Sequence, residues 1–226
     1  MVPRTKSKAV IWDMDGVIVD TAPYHFKAWQ HVFQKRGVNF NTEKFRSNFG
    51  QRNDAIIRNT LGEDISLSEI EIIAGDKEES FRKKVKDNIK ELPGVIKLMT
   101  SLKVQGFKMA LASSAPIENI WLLTRSLGIN SYFQVIISGQ DVLEGKPSPQ
   151  GFLLAAEKMD VAPRNGIVIE DAVAGVIAAK RAGMHCLAVT NTHPRRSLNE
   201  ADLVVSTLEA VAVKDLERLL DSSSAV

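Results

Sequence analysis

The sequence predicts an α/β fold: a mostly parallel sheet with helices on both faces and a helical segment inserted after the first strand. Short apolar runs, each closed by polar or small residues, alternate with stretches of helical periodicity through most of the chain. That alternation fails between about residues 21 and 92, where helical patterns but no strand can be read. The unusual polar residues fall at the carboxyl ends of the apolar runs, the rim where parallel sheets bind ligands.

The first run, Ala9-Val10-Ile11-Trp12, is four residues long and stops at Asp13. In the insertion, Trp29 and Phe33 repeat at four-residue spacing and read as its core. Its last helix carries Ile70, Ile73, Phe81, Val85 and Ile89 at spacings of three, four or their multiples. The stretch DKEESFRKKVKD (76–87) reads as that helix's solvated face. Leu92-Pro93-Gly94 breaks the helix, so hinges are expected near residues 19–21 and 91–94. Beyond it, strands are predicted at 107–112, 135–137, 167–169, 186–189 and 203–205. Helices are predicted at 95–104, 117–127, 152–159, 173–181 and 213–220. Gly106 and Gly128 suit the stop positions of two of these helices, and Pro116 the first position of another. The terminal SSSAV reads as a tail without structure.

Composition narrows the function classes. Against 27 acidic residues stand 29 Lys and Arg, and the resulting charge of +2 is too small to argue for a nucleic-acid or anionic-membrane partner. The single cysteine, Cys186, excludes an intrachain disulfide and a multi-cysteine zinc site, and its apolar surroundings make it an inert core thiol. The apolar run after the basic MVPRTKSK is too short for a signal peptide, and no stretch approaches about 18 apolar residues. A cytoplasmic protein, monomeric by default, is expected.

Four polar clusters carry the chemistry. DMDGVIVD (13–20) places Asp13 and Asp15 after the first strand, and Ser113 and Ser114 follow FKMALA. Lys146 lies in EGKPSP, and Glu170 and Asp171 follow GIVI. Taken singly, each has a plain reading as a turn, an N-cap or a solvated loop. Lys146 is not a Walker lysine, because GxxxxGK[ST] is absent. Gathered at one rim, they form a set. Carboxylates from two strands make a hard oxygen site suited to Mg²⁺. A hydroxyl at a helix N-terminus and a lysine suit a phosphate group. A remaining carboxylate can attack phosphorus while its neighbour trades protons with the leaving group.

Asp13-Met14-Asp15-Gly16-Val17, Ser113, Lys146 and Glu170-Asp171 resemble the four ordered motifs of the haloacid dehalogenase superfamily. The stretch DMDGVIVDTAPYHFKAW (13–29) is similar to β-phosphoglucomutase and its phosphatase relatives. The resemblance implies a Rossmann-like core of residues 1–19 and 93–226, with a helical cap of residues 20–92. It implies Asp13 as nucleophile and Asp15 as general acid and base. Mg²⁺ would be held by Asp13, Asp15 through its carbonyl, and Asp171, with Glu170 in support. Ser113 and Lys146 would bind the phosphoryl oxygens. Gly16, Ser114, Thr21, His25, Gly50 and Arg52 are the further substrate-side candidates, with Thr21 and His25 matching positions that bring Asp15 in on closure. For His25 alone, without the resemblance, a surface or core histidine would be the preferred reading.

Two departures bear on the reaction. The mutase pattern carries side-chain donors at the second to fourth positions after the motif serine, where this chain has Ala115, Pro116 and Ile117. It also carries a lysine before the cap-loop glycine, where this chain has Phe49 before Gly50. The expectation is therefore a Mg²⁺-dependent phosphatase of small phosphorylated metabolites such as sugar phosphates. β-Phosphoglucomutase is the runner-up, inorganic pyrophosphatase the next, and a non-catalytic phosphate-binding scaffold the distant alternative.

Overall fold

The computed structural model describes residues 7–86 and 89–222. Strand β1 (Ala9–Trp12) is followed by four helices, α1 (Ala22–Gln34), α2 (Thr42–Asn48), α3 (Asn53–Leu61) and α4 (Leu67–Val85). The alternation resumes with α5 (Val95–Val104), β2 (Lys108–Ala112), α6 (Ile117–Ser126), β3 (Val135–Ile137) and α7 (Gln150–Lys158). It ends with β4 (Gly166–Glu170), α8 (Val173–Arg181), β5 (His185–Val189), β6 (Leu203–Val205) and α9 (Val213–Ser222).

The strands form one parallel sheet in the order β3-β2-β1-β4-β5-β6. From β1 the chain moves outward through β2 and β3, then returns to the other side of β1 for β4, β5 and β6. That reversal opens a crevice beyond the carboxyl ends of β1 and β4. Trp12 is in register with both Leu111 and Ile169, so the residues that follow these strands converge there.

Both faces of the sheet are buried, which is why its strands read as unbroken apolar runs. Val10 and Trp12 pack on one side with Leu98, Met99 and Ile120, from α5 and α6. Ala9 and Ile11 pack on the other with Phe152, Ala155 and Val176, from α7 and α8. Truncating a core residue such as Ile11 to Ala would cost about 2–5 kcal/mol.

The helices inserted after β1 have an apolar cluster of their own, built on Trp29, Phe33, Phe40, Phe45, Ile57 and Ile73. Trp29 and Phe33 stack with centroids 5.2 Å apart, as their spacing suggests. Helix α4 belongs to both layers, because Phe81 and Val85 at its end join the cluster under the sheet. The two connecting segments meet where Val19 bridges Glu91 and Leu92 N–H donates to Ile18 O at 2.8 Å.

Several local expectations are corrected. Helix α4 stops at Val85, so Ile89 lies outside it and packs against the main core instead. Pro116 precedes α6 in an extended conformation (φ −60°, ψ 151°) rather than opening the helix. The stretch at 76–87 is not wholly a solvated face, because Lys77 and Glu78 are buried. Ser222, the first residue of the expected tail, closes α9, while residue 87 and residues 223–226 lie outside the described residues.

Candidate active site

Asp13 extends β1 by one residue, its N–H donating to Ile169 O at 3.0 Å, which fixes its side chain at the rim. The Lys146 ammonium donates to Asp13 Oδ1 and to Glu170 Oε1, both at 2.5 Å. Burial pushes the Asp13 carboxyl up to about 7; Lys146 opposes this, and the charges of Glu170 and Asp15 add to it. Burial works against the charge on Lys146, but its two carboxylate partners hold its pKa above the ordinary lysine value.

Beside this pair lies Asp171, fully buried, and neither of its carboxylate oxygens has a hydrogen-bond partner among the described residues. Burial, with the charges of Glu170 and Asp13, raises its pKa well above the usual carboxylate range. Glu170, in contrast, is committed, accepting from Lys146 and from the N–H groups of Asp171 and Ala172 at 2.8 Å each. Asp13, Glu170 and Asp171 each present an oxygen, all within 4.8 Å of one another. Three carboxylates against one ammonium leave two negative charges in a buried space when all are ionised. The donor set fits a hard divalent cation. Gly16, at φ +86°, makes the space: a Cβ there would lie 1.9 Å from Asp171 Oδ2.

Asp15 points toward the inserted helices. Thr21 Oγ1 donates to its Oδ1 at 2.5 Å, and His25 Nε2 lies 3.2 Å from the same oxygen. Burial alone would raise the Asp15 pKa, but His25, Thr21 and the more distant Lys77 bring it below the ordinary value. The imidazole is held flat against Phe81, centroids 3.9 Å apart with an interplanar angle of 2°.

Ser113 is buried at the end of β2, its N–H bonded to Ile137 O at 3.0 Å and its hydroxyl accepting from Ala115 N–H at 3.1 Å. Ser114 donates to Gly50 O at 2.8 Å, tying the loop between α2 and α3 to the sheet. A cleft runs between the two layers. Asp13, Asp15, Ser113 and Ser114 from the sheet layer and Asn53, Lys77 and Glu78 from the inserted helices line it. His25 and Gly50 also line it; Arg52 does not. The Arg52 guanidinium lies over an adjacent cavity, donating to the carbonyls of Val142 (2.7 Å) and Leu143 (3.1 Å) and to Asp54 (3.1 Å).

Three features of the site lie outside the sequence-level candidates. The Thr192 hydroxyl sits beside Asp171 and holds its pKa down somewhat, without reaching hydrogen-bond geometry. Lys77 and Glu78 form a buried ion pair at 2.6 Å. A signal for Lys77 is present in the sequence: it stands four residues after Ile73 and four before Phe81, on the apolar stripe of α4.

Residues 10–189 match the haloacid dehalogenase-like hydrolase family. The chain is 36% identical to β-phosphoglucomutase of Bacillus subtilis over 210 residues, covering 88% of each protein. It is 35% identical over 185 residues to a phosphorylated carbohydrates phosphatase of Thermotoga maritima, covering 78% of this chain and 82% of that one. The structure superposes on a β-phosphoglucomutase from Clostridium difficile with a TM-score of 0.89 at 28% identity, covering 97% and 100% of the two chains. No helix among the described residues is long and apolar enough to cross a membrane. By motif, fold and overall similarity, the chain belongs to the haloacid dehalogenase-like hydrolases, in the branch shared by β-phosphoglucomutases and related phosphatases.

Proposed function

We propose that this protein is a Mg²⁺-dependent phosphatase of small phosphorylated metabolites, with sugar phosphates as the substrate class, in which residues 20–92 act as the cap. The carrying observation is the buried Asp13 carboxylate at the end of β1, paired with Lys146 and adjoining an Asp171 whose oxygens are unclaimed. Asp13, Asp171 and the Asp15 carbonyl would hold Mg²⁺, with Glu170 supporting. When bound, the ion neutralises the carboxylates and polarises the phosphoryl group.

The substrate phosphoryl group docks beside Asp13, with the Lys146 ammonium and the Ser113 hydroxyl offsetting its negative charge. An Asp13 oxygen forms a bond to phosphorus as the ester bond breaks, giving an aspartyl-phosphate. Asp15 protonates the departing oxygen, then takes a proton from the water that attacks phosphorus and releases Asp13. The Thr21 and His25 contacts favour the carboxylate form of Asp15, which suits this second half. To deliver a proton in the first half, Asp15 must loosen those contacts. The cap excludes bulk water.

A phosphatase is favoured over a mutase because positions 115–117 offer no side-chain donor to a second phosphate. The test is phosphate release from a panel of sugar phosphates, nucleotides and pyrophosphate, with Mg²⁺ or EDTA and Asp13→Asn as blank. Metal-dependent release that vanishes in the variant is expected. Glucose 6-phosphate formed from β-glucose 1-phosphate with a bisphosphate primer, without net phosphate release, would make the protein a mutase.

A further inference from the structure

Two of the three clustered carboxylates are oriented by donors. Asp13 accepts from Lys146, and Glu170 from Lys146 and two backbone N–H groups. Asp171 is fully buried and accepts from none among the described residues. Carboxylates that hold a metal are ordinarily hydrogen-bonded themselves, and that outer bond fixes the orientation of the side chain.

A donor stands next to Asp171. The Thr192 hydroxyl, in the turn after β5, is also buried without a hydrogen-bond partner among the described residues. Strand β5 pairs with β4, and its turn is anchored where Thr190 N–H donates to Val205 O at 2.9 Å, so the residues that follow the two strands meet at the rim. Gly16 marks how near the two side chains come: a Cβ there would lie 1.9 Å from Asp171 Oδ2 and 2.8 Å from Thr192 Oγ1. A hydroxyl without an acceptor and a carboxylate without a donor thus converge on one point. Valine has nearly the shape of threonine and would bury no unpaired polar atom, so packing alone does not call for the hydroxyl.

We infer that Thr192 is a positioning residue for Asp171: its hydroxyl donates to the carboxylate and limits its rotation, leaving the remaining lone pairs for a cation. This rests on the Mg²⁺ reading of Asp13 and Asp171 and adds to it a residue that acts through Asp171.

The test is the Mg²⁺ dependence of Tm in the wild type, Thr192→Val, Thr192→Ser and Asp171→Asn. Thr192→Val should need about tenfold more Mg²⁺ to reach half of its shift, as when a metal ligand loses its outer partner. Thr192→Ser keeps the hydroxyl and should stay close to the wild type. Half-saturation is read against each protein's own metal-free Tm, so a general change of stability does not enter. An unchanged half-saturation in Thr192→Val overturns the inference, as does a Thr192→Ser protein as weak as Thr192→Val. A shift that disappears in Asp171→Asn but is unmoved by Thr192→Val defeats the role of Thr192 alone. No shift in the wild type, or one that Asp171→Asn leaves intact, defeats the cation site itself and this inference with it.

Discussion

Asn119 of α6 donates to Glu78 of α4 across the junction between the inserted helices and the sheet layer, at 2.6 Å, and accepts from Arg82 at 3.1 Å. One fully buried amide thus serves two charged side chains of the opposite layer. Asn119→Ala strips buried Glu78 of one of its three donors and half-buried Arg82 of an acceptor, and bonds to charged groups contribute more than neutral ones. The expected loss is about 2–4 kcal/mol in urea unfolding. An Asn119→Ala protein as stable as the wild type would mean that the junction does not need this amide.

Glu78 also gives stability an acid dependence of predictable sign. Its folded pKa lies below the ordinary 4.5, with burial opposing and Lys77, His25 and Asn53 prevailing. A depressed carboxylate contributes stability that is complete above its unfolded pKa and is lost as pH falls through the folded value. The stability difference between wild type and Glu78→Gln should therefore be largest above pH 4.5 and shrink below it. Unfolding midpoints measured with EDTA between about pH 3.5 and 7 would show it, and a difference that grew toward acid would reverse the assignment.

The acidic cluster predicts a metal effect that needs no substrate. With three buried carboxylates around one lysine, Mg²⁺ should bind the folded state and raise Tm. At a hundredfold excess over Kd the stabilisation is about 2.7 kcal/mol. Asp171→Asn removes a carboxylate whose oxygens have no other partner, so the Mg²⁺-dependent shift should collapse while the metal-free Tm stays or rises. An undiminished shift would place the ion elsewhere.

The fold was legible because both faces of the sheet are covered. Ile167-Val168-Ile169 and Cys186-Leu187-Ala188-Val189 are apolar at every position, and nothing but a buried strand suits so short a run between turn signals. Asp13, Ser113, Glu170 and Asp171 stood out because polar residues directly after such runs are conspicuous, and the register of β1 with β2 and β4 then gathers them. Lys77 and Glu78 were masked by their neighbours, since a run of charges suggests solvent unless each is placed on the helix's stripe. The Asn119 contact depends on how α6 meets α4, and the direction of Arg52 on which loop faces it, and no local pattern encodes either.

Gly16 should tolerate no side chain. Its φ of +86° disfavours any L residue, and an added Cβ would lie 1.9 Å from Asp171 Oδ2 and 2.8 Å from Thr192 Oγ1. Gly16→Ala must therefore move either the Asp13–Gly16 turn or the Asp171 carboxylate, both within the proposed site. The expected result is a loss of phosphatase activity of at least about a hundredfold, as when positioned groups shift by an ångström. The Mg²⁺-dependent Tm shift should be weakened in the same protein. Activity lost with an intact shift would place the damage at Asp13 and Asp15 alone. Full activity would show that the turn has room the structure does not provide.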